Sequence, residues 1–119
     1  MDNIIYQHKD IVQNNNKNII EILANAGVEF CRALKWKEEN NKKREESAFD
    51  RGIELLDITI DFACENKKKY IGCIKELCIL KEVLCDYFLL DNKYEINKNY
   101  IIKYFEDYAT SNRLYNERI

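Results

Sequence analysis

The sequence predicts an all-α protein, and three observations carry that reading. Pro is absent, Gly occurs three times in 119 residues, and apolar residues recur at helical spacing in segment after segment. A chain with so few Pro and Gly residues makes few tight hairpins and leaves long helices unbroken. A chain of this length has the usual size of one domain and buries roughly two-thirds of its unfolded surface. Residues 1–119 are therefore expected to form a single domain: an antiparallel bundle of four main helices with a short N-terminal helix packed against it.

Each element has its own signal. Asp2 can cap a short amphipathic helix whose apolar face carries Ile4, Ile5, His8, Ile11 and Val12. The polar run Asn14, Asn15, Asn16 ends it. A longer helix is expected from about Asn18 to Glu39, with Ile20, Ala24, Gly27, Cys31 and Leu34 on one stripe and Ile19, Leu23, Ala26 and Phe30 beside it. Gly27 suits a close helix approach. The stretch from Lys35 to Glu46 is dense in both charges and reads as a frayed end, a solvated turn or a helical extension.

Ser47 followed by Asp50 resembles a capping box with Asp in place of Glu or Gln, so the next helix is expected to start there and to run to about Glu65. Its core stripe is Ile53, Leu56, Ile60 and Ala63, with Leu55 and Phe62 further round. Asn66 and Lys67, Lys68 and Lys69 form a turn. The helix after it presents Tyr70, Ile74, Leu77, Leu84 and Phe88, with Lys81 at the centre of that face and Lys75, Ile79, Glu82 and Asp86 outside. Asn97 caps a last helix with Ile101, Phe105, Tyr108 and Ala109 inward.

Composition narrows function mainly by exclusion. The formal net charge is -2, so no whole-chain field recruits phosphate backbones or anionic lipid, which weighs against nucleic acid and membrane surfaces as partners. No segment has the order of a secretory signal, and no apolar run approaches the roughly 18 residues that span a bilayer. A soluble cytoplasmic protein is expected. The five cysteines, Cys31, Cys64, Cys73, Cys78 and Cys85, fall inside apolar helical patterns and are expected to be reduced thiols that pack rather than bind zinc.

Four residues invite a chemical reading. Asp50, Glu54, Asp57 and Asp61 lie within about 60° of one another on one helix face. Such a line can form a buried polar seam, with Asp57 and Asp61 meeting Lys81 of the next helix, or can offer oxygen ligands to a magnesium ion. Glu54 and Asp57 have the E-x-x-D spacing of the all-α nucleoside-triphosphate pyrophosphatases, but no E-x-x-E precedes them on the neighbouring helix. Half of that motif is present. Apart from this magnesium alternative, no cofactor is implied.

Other catalytic patterns are missing. His8 is the single histidine and no arginine precedes it, as a HEPN-type ribonuclease would require. No phosphate loop, dinucleotide fingerprint or nucleophile elbow occurs. Lys67, Lys68 and Lys69 could grip a phosphate, but solvate a turn equally well. Tyr100, Tyr104, Tyr108 and Tyr115 line one edge of the last helix; tyrosine is enriched at interfaces, so Tyr100, Tyr104 and Tyr108 mark a candidate self-association surface or a core edge. Two readings follow. The first is a homodimeric interaction or regulatory module; the second is a divergent magnesium-dependent nucleotide hydrolase using the acidic face.

Overall fold

Asn41 begins the longest helix by accepting a hydrogen bond from the Arg44 amide at 3.2 Å, which satisfies one of the amides left open at a helix start. The computed structural model describes residues 17–118, with side chains between residues 19 and 110. Four helices occupy this span: α1 (Lys17–Glu38), α2 (Lys42–Glu65), α3 (Lys67–Leu89) and α4 (Lys98–Arg118). No strand occurs among the described residues. The expected N-terminal helix, with Ile4, Ile5, His8, Ile11 and Val12, and Tyr115 of the tyrosine row lie outside the described side chains.

The cap moves one boundary. Ser47 and Asp50 do not start α2, which begins more than a turn earlier at Lys42; the Ser47 hydroxyl instead accepts a 2.8 Å bond from Arg51. Only Glu39, Asn40 and Asn41 connect α1 to α2, with Asn40 at φ 57°. Asn tolerates that left-handed conformation better than most residues. Arg44 lies 4.7 Å from the centre of the Trp36 ring and closes the same turn.

α1 packs against both α2 and α4, and α2 packs against α3. Two glycines set the close approaches. A Cβ on Gly27 would meet Phe105 Cβ at 2.6 Å, and one on Gly52 would meet the Phe30 ring at 2.8 Å. Hydrogen on Cα therefore lets α4 seat Phe105 against α1, and lets α1 seat Phe30 against α2. Phe30 is fully buried, with ring centres of Phe105, Phe49 and Phe88 at 5.4, 5.9 and 6.3 Å. One ring from each helix meets at this point, and truncating such a phenylalanine typically costs about 3–5 kcal/mol.

Ion pairs tie the periphery. Arg51 of α2 reaches Glu29 of α1 at 3.3 Å, and Lys98 of α4 pairs with Glu38 of α1. The loop before α4 is held by Asn92, whose side chain accepts from the Ile96 amide and donates to its carbonyl. Asp86 is buried rather than on an outer stripe, because its carboxylate accepts the Tyr94 amide at 3.0 Å. Asn97 caps α4, accepting from the Tyr100 amide at 2.9 Å.

Candidate functional site

The acidic line sits on the outer side of α2. Asp50, Glu54 and Asp61 are exposed and Asp57 is half-exposed. Lys81 reaches Asp57 at 2.7 Å, so the expected partner is found, while the expected seam is not: the two side chains are 40% and 45% exposed. The buried face of α3 centres on Cys73, Leu77, Leu80 and Leu84, which turns Lys81 to the edge of the α2/α3 contact. Its pKa is raised, first by the hydrogen bond to Asp57. Water reaches this pair, so it stabilises the fold only modestly.

Magnesium chemistry needs several oxygens around one point. Among the described residues no group of three or more His, Cys, Asp or Glu is arranged to hold a metal ion. Consecutive members of the line are three or four residues apart on a straight face, which spaces their carboxylates along the helix. Lys67, Lys68 and Lys69 are all exposed at the start of α3, where Lys69 lies 5.2 Å from the Tyr70 ring centre. Cys31, Cys64, Cys78 and Cys85 are free thiols and Cys73 is buried in the core.

The tyrosine row is also corrected. Tyr104 and Tyr108 are 4% and 0% exposed, and both hydroxyls donate to Glu76 Oε2 of α3, at 2.8 and 3.0 Å. Their oxygens lie 3.1 Å apart. They belong to the interior of this chain and offer no ring face to a partner; Tyr100, half-buried beside them, offers part of one. The reason is Glu76, a buried carboxylate that gives both hydroxyls an acceptor away from solvent. Burial, then the charge of Glu76, pushes the Tyr104 hydroxyl well above the ordinary tyrosine range; burial, then Tyr104 and Glu76, does the same to Tyr108.

A third feature was not singled out from the sequence. On the outer side of the α1/α4 contact an open groove of about 390 Å³ is lined by Ala24, Val28, Cys31, Ile102, Phe105 and Ala109. Val28 is 50% exposed within it. The rims carry charge of opposite sign, with Arg32 and Lys35 on α1 and Glu106 on α4. Burial, with the Glu106 carboxylate second, raises the Cys31 thiol, so that carboxylate acts across the groove. The available signal was Val28 and Ile102 lying just outside the buried stripes of their helices.

This groove is not arranged for nucleophilic chemistry, because burial and the Glu106 charge both raise its Cys31 thiol. What it can do is cover apolar surface: the groove is concave, weakly polar at its floor and edged by charges that can set orientation. No helix among the described residues is long and apolar enough to cross a membrane. Comparison with known proteins supplies no relative, since no family model, no curated protein and no solved structure matches the chain.

Proposed function

We propose that this protein is a small cytoplasmic interaction module, an antiparallel helical bundle that acts as a homodimer. The observation that carries the reading is the groove between α1 and α4, where Val28 stands half-exposed on an apolar floor. The antiparallel course is supported by the three-residue link between α1 and α2 and by Asn66 alone between α2 and α3, since short links make successive helices neighbours of opposite direction. The near-neutral net charge lets two copies approach without strong mutual repulsion.

The hydrolase reading has less to stand on. Its four carboxylates face water in a row, and the one with a close partner, Asp57, is engaged by Lys81. Sedimentation velocity over about 1–100 μM tests the module directly, that range spanning the affinities of many transient complexes. A dimer is expected. A chain that remains monomeric throughout overturns homodimeric action.

A further inference from the structure

We infer that the α1/α4 groove is the dimer surface and that a second copy of the chain seats on it about a two-fold axis, with α1 of each copy against α4 of the other. The inference rests on the homodimer reading above and specifies where and in what orientation the copies meet. Its starting point is charge. Arg32 and Lys35 lie along the α1 rim, and Glu106 lies along the α4 rim of the same groove. A two-fold axis brings a patch against itself, so that a residue on one copy meets its counterpart's neighbours on the other. The α1 rim of each copy then faces the α4 rim of its partner, and basic residues meet Glu106 twice per dimer. A parallel placing of α1 on α1 would instead set four cations together, which like-charge repulsion disfavours.

Shape agrees with this placing. Ala24 and Ala109 leave the floor low, while Val28 projects with half its surface free; a knob beside a shallow floor is the arrangement by which one helix pair seats on another. The groove runs from Ala24 to Lys35 on α1, about 17 Å of helix, and two helices side by side are roughly 20 Å wide. The footprint is on the order of 350 Å² per copy, the size of a weak, transient contact. Arg32 pairs with Glu29, 3.3 Å away and one turn back, and stays 58% exposed. Cys31 lies on the floor within reach of the Glu106 charge, so the surface also carries a native thiol that reports on access.

A charge exchange tests the pairing. One variant carries Arg32→Glu with Lys35→Glu, and the other carries Glu106→Lys; all three positions are on the groove rim, so helicity should be kept. Each variant alone is expected to dimerise roughly tenfold or more weakly than the natural chain, because like charges then face each other across the axis. Mixed in equal amounts, the two should form a heterodimer of near-natural affinity, since every facing pair is again opposite in sign. Protection of Cys31 from an alkylating reagent should follow dimer content in all three samples. A natural-chain dimer that neither single variant weakens, or that both weaken without recovery on mixing, overturns the two-fold groove pairing while leaving the homodimer reading in place. Cys31 protected to the same degree at monomeric and dimeric concentrations also overturns it, because another part of the same chain then covers the groove. A natural chain that is monomeric overturns both readings.

Discussion

Asp57 and Lys81 meet at 2.7 Å with both side chains more than a third exposed, whereas Glu76, five residues before Lys81 on the same helix, is 3% exposed beneath Tyr104 and Tyr108. Five residues turn an α-helix by about 140° beyond a full turn. That rotation separates an ion pair bathed in water from a carboxylate sealed among the packed helices. In the first case water competes with every interaction the charges make; in the second, each hydrogen bond replaces solvation already lost. Two carboxylates therefore have different consequences for the fold. Partner chemistry follows suit, with a flexible amine outside and two rigid phenols inside.

The largest effect that can break this contrast is expected at Glu76. Glu76→Ala removes the common acceptor of two buried hydroxyls and leaves a gap beneath them, which should lower stability by about 3 kcal/mol or more. Urea unfolding followed by circular dichroism measures it. If the midpoint moves no further than for a substitution at Lys81, the buried triangle contributes nothing beyond a surface pair.

Alkaline unfolding sharpens the contrast next. Tyr104 and Tyr108 have folded pKa values raised well above the ordinary tyrosine value, through burial first. In the unfolded chain each ionises near pH 10, so the unfolded state gains stability there while the folded state keeps its protons. The contribution is present in full below about pH 10 and declines as pH rises toward the folded values, by up to about 1.4 kcal/mol per pH unit for each tyrosine. Tyr104→Phe should make the decline between pH 10 and 11 shallower than in the natural chain. Equal slopes in the two proteins would mean that the Tyr104 hydroxyl titrates normally in the folded state.

The same two clusters show what was legible in the sequence. The four main helices were, and both ends of α1 and the start of α4 fell within a residue or so of expectation, because Asn97 is a strong cap and the α1 stripe has one clear apolar side. Gly27 was legible as a close-approach position for the same reason. The face of α3 was not. Its exposed Ile71, half-buried Ile74 and Ile79 and buried Leu77, Leu80 and Val83 surround the helix with apolar residues, so periodicity alone could not centre the face, and Lys81 was placed inside while Glu76 went unnoticed. The start of α2 was missed because Asn41 caps as well as Ser47 can, and lies earlier in the chain. For the tyrosines, spacing showed that they share an edge, but whether the edge faces solvent depended on an acceptor from another helix. The charged rims of the α1/α4 groove likewise combine residues some 70 positions apart, a juxtaposition no local pattern encodes.

Lys81→Met is the smallest of these effects and the most direct measure of the contrast. A lysine at the centre of an apolar face would leave Asp57 buried and unpaired when replaced, a loss of several kcal/mol. At the edge of α3, with its side chain 40% exposed and Asp57 45% exposed, replacement should change stability by less than about 1 kcal/mol, since water takes over the carboxylate. The methionine keeps the apolar stem against α2, so packing contributes little to the difference. A double-mutant cycle with Asp57→Asn isolates the pair and should return a coupling of about 0.5 kcal/mol, shrinking as salt is added. A coupling above about 2 kcal/mol that persists at high salt would place the pair out of reach of solvent and erase its distinction from the Glu76 cluster.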